Sequence, residues 1–100
     1  MACQLRERTI RSVDLVEAHI ARIEATHDDL NAVVVPMFDQ ARQAAEQADR
    51  LLQETGVEQG ALLGVPVTIK EFLDVAGAPT TGGIQASVIP KAKSDAVAVA

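Results

Sequence analysis

The chain changes its pattern at Gly60. Before that residue, apolar side chains recur every three or four positions. After it, glycine, proline, threonine and β-branched residues dominate, and the helical period is gone. A chain divided in this way is expected to put helices first and extended or turning backbone second, an α/β arrangement.

The first helix is expected to start at Ser12, a short polar residue able to accept the free N–H groups of a first turn. Asp14 adds negative charge near the positive end of the helix dipole. Val13, Val16, Ile20 and Ile23 then share a face, while Asp14, Glu17, Arg22 and Glu24 take other positions. The helix is expected to end near His27, with Asp28 and Asp29 as its break. Residues 31–35 precede Pro36 and read as an extended connector, because a residue before proline avoids the helical region. In the second helix Phe38, Ala41, Ala45, Ala48 and Leu52 form one stripe, and Arg42, Glu46 and Arg50 form a ladder of four-residue steps. Gly56 is placed to stop it. The alanines let a neighbour approach closely, and the helix pair occupies residues 9–55.

Residues 62–69 are the strand candidate. Counting back by twos from Lys70 gives Thr68, Pro66 and Gly64, a small-residue face ending in one amine. Leu63, Val65, Val67 and Ile69 form the opposite face, branched and suited to a core. Pro66 cannot donate to a ladder, so an edge, a bulge or a bend is expected. Residues 76–83, AGAPTTGG, read as a turn-rich loop. Ser94 and Asp95 resemble a cap followed by a first-turn acid, yet residues 96–100 supply only about one turn. The alternating reading of AVAVA as a strand is equally unfinished, so the C-terminus is expected to be cut rather than ended.

Composition narrows the function classes. The net charge of −5 argues against nucleic acid, since phosphate binding needs clustered Lys and Arg, and here the basic residues are scattered among acids. With two Phe and no Trp or Tyr, stacking platforms are absent and any core must come from Leu, Ile, Val and Ala. No apolar run approaches the ~18 residues of a membrane span, and the charged N-terminal stretch has no signal-peptide core. The single cysteine, Cys3, cannot form an internal disulfide, which fits the cytoplasm.

Among candidate residues, Lys70 has two readings. It is a solvated surface amine, or a lysine that burial turns into a neutral base. Glu71 points the other way on a strand and need not neutralise it. His19 and His27 lie eight apart, without the spacing of a zinc pair on one helix, and read as helix-surface or half-buried histidines. Cys3 has no base suggested by spacing, Asp28 and Asp29 read as a turn, and Ser87 and Ser94 have no base placed near them. The glycines before Lys70 do not have phosphate-loop spacing, because Val65–Ile69 intervene. No metal or cofactor set emerges.

Taken in order, SVDLVEAHIARIEATHDDLNAVV, a second Ala-rich helix, LLGVPVTIKEFLDVAGAPTTGG and SDAVAVA resemble the start of the amidase signature family over residues 9–100. The resemblance implies a mixed sheet flanked by helices. It also implies hydrolysis of a carboxamide, or transfer of its ammonia, through a Ser–cis-Ser–Lys triad without a cofactor. The catalytic lysine that follows GVPV.I in the family maps onto Lys70. Its implied role is a neutral base that takes a proton from the bridging serine, which in turn deprotonates the nucleophilic serine. Backbone N–H groups would stabilise the oxyanion.

This sequence has no Ser-Ser-Gly cluster, so the resemblance places both serines outside it. Residues 1–100 are then expected to be the truncated N-terminal fragment of a single longer domain. The helix pair occupies residues 9–55, and a strand, a loop and the start of a further element occupy residues 60–100. Alone, they are expected not to hydrolyse amides. Phe72 and Gly83 do not fix a subfamily, and aliphatic amides, aryl amides and glutamine serving an amidotransferase all stay open as small-molecule substrates. Missing sheet neighbours would leave edges and apolar faces exposed, so a homo-oligomer is expected. The alternative is a self-contained interaction module that uses the alanine-striped helix pair as a dimer surface. A third reading is a small-molecule binder built on the glycine-rich loop.

Overall fold

Among the described residues three helices form where the apolar period predicted two: α1 (Ala2–Arg6), α2 (Ser12–Leu30) and α3 (Phe38–Leu51). The structure, a computed structural model, describes residues 1–54, 60–84 and 88–100; Gly56 and Ser87 lie outside the described residues. The chain divides into two compact units, Met1–Val67 and Thr68–Ala100.

In the first unit α1 is too short to show a period, yet it buries Leu5 to 1% exposure. The start of α2 falls at Ser12 as expected, but Ser12 is not its cap. Arg11 holds the extended N-cap position, and the Ser12 hydroxyl donates to the Gly64 carbonyl at 2.7 Å. The free N–H groups of Ser12 and Val13 go to the Asp49 carboxylate at 2.7 and 3.2 Å. The cap comes from α3, where no reading of adjacent residues would place it.

Nor does α2 break at Asp28 and Asp29, which lie inside its last turn. It stops at Asn31, whose left-handed backbone (φ 44°) turns its N–H onto the His27 carbonyl at 2.7 Å. Two acids in a last turn oppose the helix dipole only modestly, and the asparagine cap decides the end. The connector then bends at Val34 and Val35 before α3 begins.

The predicted stripe is the packing face. Val16 and Ile20 of α2 meet Ala45 of α3, with Val13, Phe38 and Ala41 packed around them; Ala48 and Leu52 are also buried. The alanines of the expected dimer surface are therefore occupied within the chain. The ladder expected on α3 does not engage Arg42. Its guanidinium forks onto Glu17 of α2 at 2.6 and 3.2 Å and reaches Asp39 at 3.3 Å. A bidentate match to one carboxylate outcompetes a single four-residue step. The Arg42 hydrogen bonds hold the Glu17 carboxyl below its usual range.

The strand expected over residues 62–69 does not form a ladder. Residues 61–64 are turns, with Leu63 N–H on Gly60 O at 3.1 Å and Val65 N–H on Leu62 O at 3.0 Å, and residues 65–70 have no ladder partner among the described residues. Among the described residues the one β contact is an isolated antiparallel bridge between Pro79 and Lys91. Gly64 causes the departure: its φ of +80° belongs to a turn, and an added Cβ would meet the Ser12 Oγ at 3.1 Å. Pro66 adds a missing donor, and a strand exists only where a neighbour exchanges bonds with it. The branched face is accordingly covered only in part: Leu63 and Val65 are half-buried, while Val67 is 69% and Ile69 39% exposed.

At the C-terminus Val99 and Ala100 N–H groups return to the Ala96 carbonyl at 2.8 and 3.0 Å. That makes one turn, neither a helix capped by Ser94 nor an AVAVA strand. Among the described residues no helix is long and apolar enough to cross a membrane.

Candidate functional site

The unit Thr68–Ala100 carries Lys70. Among its described residues only Ala78 is a buried apolar side chain, so hydrogen bonds rather than packing give it shape. A turn opens at Lys70 itself, whose carbonyl accepts the Leu73 N–H at 2.9 Å. Three carboxylates then take the donors of the following loops. Glu71 accepts the Thr81 N–H, Asp74 accepts the Thr80 hydroxyl at 2.7 Å, and Asp95 accepts the Ala76 N–H at 2.7 Å. Backbone bonds complete the weave, from Gly77 to Ala92 O, from Ala92 to Ala78 O and from Ala96 to Asp74 O, each 2.9 Å.

Residues 76–83 are the turn-rich loop that the sequence predicted, and Gly82 and Gly83 adopt positive φ (58° and 79°). Beside these glycines the Gly83 N–H bonds the Thr81 hydroxyl oxygen at 3.0 Å, and the Thr81 N–H bonds the carboxylate of Glu71. The Thr81 hydroxyl, the Thr81 N–H and the N–H groups of Gly82 and Gly83 hold its carboxyl below the usual range, since each stabilises the charged form.

Lys70 is exposed, and among the described residues no carboxylate lies within ion-pair distance of its amine. Glu71 is engaged elsewhere, in keeping with its expected independence from Lys70. The remaining candidates stay apart. The exposed His19 uses Nδ1 on the Leu15 carbonyl at 2.7 Å, and the Cys3 thiol donates to Glu7 at 3.2 Å. Asp28 and Asp29 sit on α2, and Ser94 lies in a bend. Among the described residues no three His, Cys, Asp or Glu side chains group as a metal site. In the first unit a cavity of about 580 Å³ is lined by Ile23, His27, Asn31, Val33, Pro36 and Phe38 among others.

Two partners escaped the sequence reading. Asp49 acts across 37 positions and leaves no local signal. Glu71 had one: an acid following the lysine, ahead of a Thr-Thr-Gly-Gly run able to present N–H groups.

An amidase family model matches residues 14–100. The chain belongs to the amidase family. It is similar to the indoleacetamide hydrolase of Bradyrhizobium diazoefficiens, 43% identical over 98 residues that make up 98% of this chain and 18% of that one. It is 32% identical over 106 residues to human fatty-acid amide hydrolase 2, covering 100% of this chain and 20% of the relative. It is 42% identical over 76 residues to a glutamyl-tRNA(Gln) amidotransferase subunit of Anaeromyxobacter dehalogenans, covering 76% of this chain and 15% of the relative. The chain thus spans about a fifth, or less, of the length of the curated relatives it matches. No solved structure matches it.

Proposed function

We propose that this chain is the N-terminal part of an amidase that hydrolyses a carboxamide to carboxylate and ammonia. Lys70 is the base of a Ser–cis-Ser–Lys triad, and both serines lie outside residues 1–100. The observation that carries this reading is the family match across residues 14–100, which includes Lys70 at the end of GVPVTIK with its amine free of ion pairs among the described residues. The amine takes a proton from the bridging serine, and the bridging serine takes one from the nucleophile, which attacks the amide carbonyl. The C–N bond breaks with a proton returned to nitrogen, ammonia leaves, and water cleaves the acyl-serine ester to the carboxylate.

A lysine must be withdrawn from water to act in this way. Lys70 is exposed within residues 1–100, so the reading assigns its cover to the rest of the protein. The same remainder would pair residues 62–69 as a strand of a mixed sheet and make residues 1–100 one part of a single domain. Exposed Val67, Ile69 and Phe72 support that reading, as side chains that await a neighbour, whether further chain or a second copy in a homo-oligomer. The substrate class is a small-molecule carboxamide: two of the three relatives carry amide hydrolysis in their names and the third belongs to an amidotransferase. The single cysteine and the acidic charge suit a cytoplasmic protein.

The test begins with the mass of the native gene product. A mass several times 10.6 kDa is expected, with ammonia released from carboxamides and a loss of about 100-fold or more in the K70A variant. Activity indifferent to K70A would overturn the role of Lys70. Lys70-dependent turnover by purified residues 1–100 would overturn the placement of the serines.

A further inference from the structure

We propose that Glu71 is a positioning residue for Lys70, acting through a two-carboxylate clamp on residues 80–83; the inference rests on the reading of Lys70 as the base. The turn that opens at Lys70 closes through the Leu73 N–H. Two carboxylates follow the lysine along it, Glu71 inside the turn and Asp74 just after it. They bind consecutive residues of the loop: Glu71 takes the Thr81 N–H, and Asp74 takes the Thr80 hydroxyl at 2.7 Å. Two attachments to adjacent residues remove the freedom to twist that one would leave. The loop in turn is braced from within, since the Gly83 N–H bonds the Thr81 hydroxyl oxygen at 3.0 Å and the Ile84 N–H bonds the Thr81 carbonyl at 3.1 Å.

Packing cannot substitute for these bonds, because Ala78 is the one buried apolar side chain among the described residues of this unit. The Thr81 N–H bonds Glu71, and Thr81, Gly82 and Gly83 together hold its carboxyl below the usual range. Among the described residues Lys70 forms no ion pair with Glu71, and Asp74 is engaged with Thr80. The clamp therefore fixes the backbone beside Lys70 while leaving its amine unneutralised. A carboxylate paired with the amine would hold it charged; one directed at backbone donors orients it without that effect.

The experiment compares E71A, E71Q and K70A in the intact native gene product, using carboxamide hydrolysis, together with ¹⁵N-resolved titration of the Thr81 amide in the chain. E71A is expected to lower kcat about 100-fold with KM little changed, as misplacement of a reacting group does. E71Q keeps an oxygen for the Thr81 N–H and should fall between E71A and the parent. The Thr81 amide resonance should move with the Glu71 carboxyl as pH falls below 4.5, and should stop doing so in E71Q. Parental kcat in E71A, beside an inactive K70A, would overturn the clamp and leave the Lys70 reading standing; an active K70A would overturn that reading itself. Should E71A fail to fold, parental kcat in E71Q decides against the clamp, as does a Thr81 amide that ignores pH.

Discussion

Asp49 Oδ1 accepts the Ser12 N–H at 2.7 Å, so α3 caps the first turn of α2. The second oxygen takes Val13 at 3.2 Å, and both orphan donors find charge at the positive end of the dipole. Asp49→Ala is expected to lower stability by about 1–2 kcal/mol, the usual worth of an N-cap. Asp49→Asn should cost less, because one amide oxygen remains. Thermal unfolding followed by helical circular dichroism checks both, and an unchanged Tm for D49A would refute the cap.

Ser12 and Gly64 should behave as one unit. Gly64→Ala places a Cβ 3.1 Å from the Ser12 Oγ and 3.2 Å from its Cβ, at a φ of +80°. The left-handed backbone alone costs about 1–2 kcal/mol, and the contact adds to it. Ser12→Ala leaves the half-buried Gly64 carbonyl without its donor, a cost of roughly 1 kcal/mol. The double variant should cost less than the two singles together, because the serine is both the donor and part of the clash. Strict additivity in chemical denaturation would contradict this.

The α2–α3 seam is expected to punish change in either direction. Ile20→Ala should cost about 2–5 kcal/mol through the cavity it leaves, and Ala48→Leu about 1–3 kcal/mol by overpacking. Val34→Ala, at an exposed connector position, should change little. Denaturant midpoints for the three variants test the order.

Glu71 predicts a pH dependence confined to the loop it binds. Its folded carboxyl lies below the ordinary 4.5, so the folded state favours the charged form. The stabilisation is complete above the unfolded value and is lost as pH falls from 4.5 through the lowered folded value. Amide protection factors at Thr81, Gly82 and Gly83, corrected for the intrinsic pH dependence of exchange, should fall through that acid window and stay flat across it in E71Q. Equal loss of protection in both proteins would remove Glu71 as the cause.

The two long helices were legible in the sequence because a helix satisfies its own backbone and needs only a periodic apolar face, which Val16, Ile20, Ala45 and Ala48 supply. The turn-rich character of residues 76–83 was legible for the same local reason: glycine and proline restrict or free the backbone where they stand. Lys70 stood out by its place in a motif rather than by any local chemistry. What the tertiary structure alone decided is who partners whom. Asp49 rather than Ser12 caps α2, Glu17 rather than Glu46 takes Arg42, and Glu71 turns to the glycine loop. Residues 62–69 show the same limit from the other side, since a strand is a relation between segments and side-chain alternation cannot supply the second one. Caps, ion pairs and ladders join residues that only the return of the chain brings together, whereas helix and turn are settled by neighbours in sequence.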